Sequence, residues 1–286
     1  MVDLRKYLDG KGASPPRVPL LLPILMRQAR LGTPITYGDA AAELGLHHRT
    51  IHPTAGVIGY TLKLVAQARG WKRRPPPPLQ SLIVNDITRV PGGGVDGFMS
   101  TAYQAAETTE KKRAVLKAVY AHIKAYPHWD EVFTLVGLDA TPAPADDLVE
   151  KAIAARGRGG EGKEHKALKE YVAANPSVIG LPAALAQGRC EFPLASGDRV
   201  DVVFEGRRLK TAVEVKSSIS SVGDIARGLF QCLKYRVVLE KQAELSRVPF
   251  GVDVLLVVGK AFPTELIALR NSLEVEVVDK VVPDAA

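Results

Sequence analysis

The chain has 286 residues, of which 46% are hydrophobic and 24% are charged, a globular composition that accommodates two domains of ordinary size. Its two cysteines lack a CxxC spacing, which excludes a disulfide framework and predicts a reducing, cytoplasmic setting. The net charge of +7 belongs to the first half, since residues 1–138 carry 18 Lys and Arg against 10 Asp and Glu, and residues 139–286 carry 20 against 21. This asymmetry predicts a surface for a polyanion, with ordinary solvated charge as the alternative.

The N-terminal stretch MVDLRKYLDGKG is charged, so we expect no signal peptide there. The apolar run that follows it, VPLLLPILM, has only nine residues, which is too short to span a bilayer. Residues 17–30 instead place apolar side chains at helical spacing and end in basic residues, which predicts a buried helix. We therefore expect no membrane partner.

A helix-turn-helix is predicted next. Thr36 can cap a short helix that begins near Tyr37, Gly45 can end it, and residues 55–70 form a longer helix after the turn. The stretch QSLIVND then predicts a strand, and VPGGGV predicts a tight turn at the tip of a β-wing. Together these elements predict a winged helix over residues 17–98.

This segment also resembles a known DNA-binding domain. ITYGDAAAELGL and the glycine-containing helix AGVIGYTLKL, followed by a strand and a glycine-rich turn, are similar to alkylguanine-DNA alkyltransferases and alkyltransferase-like proteins. The reactive Pro-Cys-His-Arg of that family is replaced by QSLIVND, and neither cysteine lies in this domain, which excludes alkyl transfer. The resemblance implies DNA binding. The candidate contacts are His48, Arg49, Lys63, Lys72, Arg73 and Arg74.

Two other readings of the N-terminal domain stay open. His47, His48 and His52 could indicate zinc, but no cysteine or carboxylate stands nearby at ligand spacing, which favours DNA contact or plain surface positions. The domain could also bind a protein rather than DNA. A DNA contact predicts an affinity that falls steeply with salt, whereas a protein contact need not.

The middle of the chain predicts a boundary. Residues 102–125 have the pattern of a helix with a solvated face. Residues 139–162 mix proline, alanine, glycine and scattered charge, which predicts a linker. The expected organisation is therefore an α+β chain with a winged-helix domain and helical extension over 1–138 and a second domain over 163–286.

The second domain has a mixed α/β pattern. A helix, EHKALKEYVAANP, precedes CEFPL and the strand RVDVVFE, and a GRR turn leads into the strand LKTAVEVKS. A long helix, DIARGLFQCLKYRVVLEK, is followed by the strand VDVLLVVG, the helix PTELIALRNSL and the strand VEVVD. Adjacent strands followed by alternating helices and strands predict a mixed central sheet flanked by helices.

Charged residues interrupt two strands that the pattern marks as buried. Glu214 and Lys216 share one strand face, with Val213 and Val215 on the other, and a tight hairpin would bring Asp201 beside them. Burying these charges separately is costly, and a hard divalent cation between the two carboxylates removes most of that cost. The pattern therefore predicts a Mg²⁺ site, at which Mn²⁺ can substitute. The alternative is an ion pair that protects an exposed edge strand from aggregation.

Here the chain resembles the PD-(D/E)xK nuclease superfamily, which has a restriction endonuclease-like core. Asp201 and the Glu214-Val215-Lys216 segment carry the likeness, although Val200 stands where the family has proline. Gln231 and Tyr235 in the following helix are similar to the QxxxY signature of several branches, and Arg227 continues their stripe at helical spacing.

The opening helix supplies an acid that resembles the extra metal-proximal carboxylate of Mrr-like and mismatch-endonuclease-like branches. Glu164 is the expected residue, with Glu161 and Glu170, three residues before it and six residues after it, as alternatives. The metal ligands that the resemblance implies are Asp201, Glu214, the Val215 carbonyl and Glu164.

The resemblance also implies roles for the remaining residues. Lys216 would hold or activate the attacking water, Gln231 and Tyr235 would position the strand or that water, and Arg227 would contact phosphate. We therefore expect a Mg²⁺-dependent DNA endonuclease of prokaryotic restriction, defence or DNA repair. A homodimer would supply the two active sites that double-strand cleavage needs. The alternative is a DNA-binding regulator or architectural protein with a vestigial, inactive nuclease-like core.

Overall fold

The computed structural model describes residues 17–71, 75–136, 152 and 162–283. The chain divides into two compact units, Met1–Ala143 and Pro144–Ala286. The predicted linker, residues 139–162, lies outside the described residues apart from Ala152 and Gly162. Among the residues described, no helix combines the length and the apolarity that crossing a membrane requires.

The first unit is mainly helical. Its helices and strands are α1 (Val18–Leu31), β1 (Ile35–Thr36), α2 (Tyr37–Glu43), α3 (Ile51–Arg69), β2 (Ile83–Val84), α4 (Thr101–Gln104), α5 (Thr109–Ala125) and α6 (Trp129–Val136). Its main core gathers the apolar faces of α1, α3 and α6 with Ile123 of α5.

The predicted order of a short helix, a turn and a longer helix is present in α2 and α3. Local capping determines where these helices begin and end. The Thr36 hydroxyl accepts a hydrogen bond from the Asp39 N–H at 3.0 Å, which starts α2. Gly45 (φ +62°) follows the end of α2, and Gly70 (φ +67°) ends α3, so both glycines adopt the left-handed backbone that other residues avoid.

The predicted β-wing is wrong for this part of the chain. Of the stretch QSLIVND only Ile83 and Val84 form a strand, and they pair in parallel with β1 rather than in an antiparallel hairpin. The glycine-rich segment forms a 3₁₀ helix, Gly93–Phe98. Asn85 explains the difference, since its side chain accepts hydrogen bonds from the N–H groups of Ile87 and Thr88 and so turns the chain directly after β2.

The predicted helix over 102–125 is broken in two. Residues 105–108 separate α4 from α5, and the Thr108 hydroxyl caps the new helix by accepting from the Lys111 N–H at 3.2 Å. A threonine that caps a helix offers the chain a local alternative to continuing the previous helix.

The second unit contains a five-stranded mixed sheet with helices, as predicted. Its elements are α7 (Lys163–Ala174), β3 (Arg189–Pro193), β4 (Arg199–Glu205), β5 (Leu209–Lys216), α8 (Val222–Leu245), β6 (Gly251–Val258), α9 (Ile267–Leu273) and β7 (Glu276–Val278). The strand order is β3-β4-β5-β6-β7, antiparallel as far as β5 and parallel from β5 to β7.

Two apolar clusters cover the two faces of this sheet. On one face Val213 and Val215 of β5 pack with Leu168 and Val172 of α7. On the other face Ala212 packs with residues of α8 and α9. The predicted alternation along β5 is therefore confirmed, and it turns Glu214 and Lys216 toward α8.

Candidate active site

The site lies at one end of β4 and β5, where their ladder stops. Val202 opposite Val213 is the last recorded pair at this end, and Asp201 and Glu214 are the next residues on the two strands. The GRR hairpin predicted from the sequence thus brings the two carboxylates to the same end of neighbouring strands.

Asp201 sits at a distortion of β4 rather than in a regular alternation. Val200 packs in the cluster on the α8 face and Val202 in the cluster on the α7 face, whereas regular alternation would put both valines on one face. The residue opposite Asp201 on β3, between the pairs Cys190–Val202 and Phe192–Val200, is Glu191. Glu191 has φ +51°, which is rare inside a strand and marks local strain.

The Asp201 carboxylate is held by two donors. The Val215 N–H donates to Oδ2 at 2.8 Å, and His165 Nε2 lies 3.5 Å from Oδ1. Burial disfavours the charged form of Asp201, but the His165 contact and the Val215 hydrogen bond outweigh it and lower the pKa of this carboxyl. Asp201 therefore keeps its negative charge. Val215 contacts Asp201 through its backbone N–H, whereas the group expected at the metal was its carbonyl.

Glu214 is buried, with its side chain 3% exposed. Lys216 Nζ donates to Oε1 at 2.6 Å, and the Tyr235 hydroxyl donates to Oε2 at 2.9 Å. Burial and the nearby Asp201 charge nevertheless raise the pKa of Glu214 to about 7, against the lowering effect of Lys216 and Tyr235. The two carboxylates thus differ in charge state near neutral pH.

The polar stripe of α8 closes the other side of the site. Gln231 Oε1 lies 3.4 Å from Lys216 Nζ, and Gln231 Nε2 lies 3.4 Å from the Tyr235 hydroxyl. The same hydroxyl lies 3.0 Å from the Arg199 carbonyl. Gln231 and Tyr235 therefore join Glu214 and Lys216 in one hydrogen-bonded group, as their spacing predicted.

Arg227 continues the stripe one turn earlier. It is half-buried, and within the described residues its guanidinium makes no recorded hydrogen bond or ion pair. Burial disfavours the charged form of Asp224, but its hydrogen bonds with Ser221 and the smaller influence of Lys216 and Arg227 outweigh burial and lower the pKa of this carboxyl. A guanidinium with open donors one helical turn before Gln231 suits an anionic group.

The helical residue that reaches the site is His165, which the sequence reasoning missed. Glu164 is exposed, and Glu170 is exposed and lies 3.8 Å from Lys166. Glu161 lies outside the described residues. The choice of Glu164 as the site residue of α7 is therefore not supported by its contacts.

A signal for His165 was present in the helical periodicity. At 100° per residue, His165 falls in the middle of the arc formed by the buried Leu168, Lys169 and Val172, whereas Glu164 falls about 40° outside it. Packing of that arc against the sheet turns His165 toward β4. The resemblance predicts an acid at this place, whereas the helical periodicity favours His165.

The DNA-contact candidates of the first unit are partly described. His48 and Arg49 are exposed in the 3₁₀ turn His48–Thr50 that leads into α3. Lys63 is exposed on α3, with Nζ 4.4 Å from the centroid of the Phe98 ring and Tyr60 beside it. Lys72, Arg73 and Arg74 lie outside the described residues.

The three histidines of the first unit do not converge. The rings of His47 and His48 are tilted against each other with centroids 4.2 Å apart, and His52 stacks on Tyr37 at 5.6 Å. Over the whole described part of the chain, no group of three or more His, Cys, Asp and Glu side chains is arranged to hold a metal ion. The pair Asp201 and Glu214 supplies two carboxylates only.

No family model matches the chain, and neither the curated proteins nor the solved structures contain a match to it.

Proposed function

We propose that the chain is a metal-dependent deoxyribonuclease whose second unit hydrolyses phosphodiester bonds. The observation that carries this proposal is the buried pair of strand carboxylates with unequal charge states, Asp201 with a lowered pKa and Glu214 with a pKa of about 7, beside the Lys216 ammonium. A surface ion pair would not place a 3% exposed carboxylate next to a second one. Perturbed groups of this kind concentrate at functional sites.

The residues present fit a hard divalent cation. Asp201 and Glu214 offer only oxygen ligands, and Mg²⁺ commonly takes one or two carboxylates and fills its other positions with water and phosphate oxygens. Burial and the Asp201 charge are what raise the pKa of Glu214, and a cation would relieve both. When bound, such an ion polarises the phosphoryl group and lowers the pKa of its water.

The other side chains have roles that follow from their contacts. Lys216 places an ammonium 2.6 Å from Glu214, where it can orient a water and stabilise charge that develops on a phosphate. Tyr235 and Gln231 fix Glu214 and Lys216 through hydrogen bonds, and the open guanidinium of Arg227 would bind phosphate. His165 holds Asp201 from the helix side.

The first unit would bring DNA to this site. It carries the whole basic excess of the chain and has the helix-turn-helix order α2, turn, α3. His48, Arg49 and Lys63 are exposed at the start and along the side of α3, where they can meet phosphates. The proposed substrate is therefore DNA.

A cleavage assay tests the proposal. The purified chain is incubated with supercoiled plasmid and with linear DNA, in Mg²⁺, Mn²⁺ or EDTA. We expect cleavage in either cation and none in EDTA, and we expect Asp201→Asn, Glu214→Gln and Lys216→Ala to lose it while DNA binding in EDTA survives. Full cleavage by Lys216→Ala would refute the site. Cleavage in EDTA would refute the metal requirement.

One observation favours a second candidate, a DNA-binding regulator with an inactive core. All four carboxylate oxygens of Asp201 and Glu214 already have a partner, namely Val215, His165, Lys216 and Tyr235. A polar group satisfied in this way is also stable without a cation. DNA binding with no cleavage of methylated, mismatched or single-stranded substrates in either cation would support this candidate instead.

A further inference from the structure

Gly228 is a buried glycine in the interior of α8, a 24-residue helix. Glycine is the least favourable residue after proline at such a position, because it gives the unfolded chain the most freedom and packs no side chain. Its presence there calls for a local reason. Gly228 lies between Asp224 and Gln231 on the side of α8 that faces β5.

The neighbours of Gly228 supply that reason. A Cβ atom at this position would lie 3.0 Å from Cε and 3.4 Å from Cγ of Lys216, and 2.9 Å from Cδ1 of Leu256. Ordinary contacts between carbon atoms are about 3.5–4.0 Å. The Lys216 side chain therefore lies directly against the bare backbone of α8.

This contact decides where the Lys216 ammonium goes. With its stem against Gly228, Lys216 places Nζ 2.6 Å from Glu214 Oε1 and 3.4 Å from Gln231 Oε1. A methyl group at position 228 has to move Cε by several tenths of an ångström, and Nζ is bonded to Cε. The missing side chain at Gly228 thus leaves the space that the stem of Lys216 occupies.

We infer that Gly228 is a positioning residue, which sets the location of the Lys216 ammonium in the proposed hydrolysis. The inference rests on the proposed function. It extends the site to a residue that carries no functional group and contacts no substrate. Gly228 acts on the proposed chemistry through Lys216, since its other close neighbour, Leu256, carries no polar group.

The activity test compares Gly228→Ala with the exposed α8 variant Val237→Ala as control. We expect Gly228→Ala to lower kcat about tenfold with KM for DNA unchanged, because a misplacement of about 1 Å costs about 100-fold and this one is smaller. Leu256→Val added to Gly228→Ala removes the other clash and should leave kcat low. Recovery of kcat in that double variant would overturn the inference, because Leu256 and not Lys216 would then be the affected neighbour.

A stability cycle tests the same contact without any cleavage. Gly228→Ala is measured by urea unfolding in the wild-type chain and in Lys216→Ala, with Gly56→Ala of α3 as a helix glycine whose Cβ would meet nothing within 4 Å. We expect Gly56→Ala to raise the unfolding midpoint, and Gly228→Ala to be clearly less destabilising in the Lys216→Ala background than in the wild-type chain, because only the Leu256 contact then remains. Equal effects of Gly228→Ala in both backgrounds would refute the contact. A wild-type chain that cleaves no DNA would instead refute the proposed function and leave this cycle measurable.

Discussion

Replacing Glu214 by glutamine should stabilise the metal-free protein at alkaline pH while abolishing cleavage. The unfolded carboxyl releases its proton near pH 4.5, and the folded one keeps it until about pH 7. The contribution of the protonated Glu214 to the free energy of unfolding is therefore fully present below about pH 4.5. It falls as the pH rises to about 7 and does not change further above that pH. The difference of about 2.5 units corresponds to about 3 kcal/mol at 1.36 kcal/mol per unit. Glutamine mimics the protonated form and should recover this energy at pH 8.

The assay is thermal unfolding in EDTA at pH 5 and pH 8, monitored by far-ultraviolet circular dichroism. Both tryptophans, Trp71 and Trp129, belong to the first unit, so their fluorescence does not report on the sheet. At about 3 °C per kcal/mol for a unit of this size, the melting temperature of the Glu214→Gln variant should rise by roughly 10 °C at pH 8 and much less at pH 5.

Glu205→Gln is the matched control, because the hydrogen bond from Lys210 lowers the pKa of that carboxyl and its neutralisation should not stabilise the chain. If Glu214→Gln destabilises the protein at pH 8, Glu214 and Lys216 form a structural ion pair and the reasoning is refuted.

Three further predictions concern single contacts. Tyr235→Phe removes the hydroxyl that donates to Glu214 Oε2 at 2.9 Å and so raises the pKa of Glu214 further. The increase of the cleavage rate with pH should therefore occur at higher pH in this variant. An unchanged pH profile would show that this hydrogen bond has no influence on the site. Gln80→Met should stabilise the first unit by about 1 kcal/mol, because both amide atoms of Gln80 are buried and have no hydrogen-bond partner among the described residues, and tryptophan fluorescence during urea unfolding measures this gain. Arg27→Met should destabilise the same unit by about 3 kcal/mol, since it leaves the 5% exposed Glu43 without the two guanidinium bonds that hold it; a loss below about 0.5 kcal/mol would contradict this.

The sheet of the second unit could be predicted closely because its signals are local. Alternating valines on β4 and β5 and the turn between them were enough to place Asp201 and Glu214 at the same end of neighbouring strands. The prediction of a β-wing was wrong for an equally local reason. The side chain of Asn85 forms a turn directly after β2, and this turn replaces the expected hairpin.

The sequence by itself determined which side chains of β5 face α8, because side-chain alternation along a strand depends only on near neighbours. It also determined the stripe of Gln231 and Tyr235, which follows from helical spacing. Only the tertiary structure decided that His165 and not Glu164 reaches Asp201, since packing of Leu168 and Val172 sets the rotation of α7. The same holds for Gly228, because the room that a missing side chain leaves is defined by atoms from other parts of the chain.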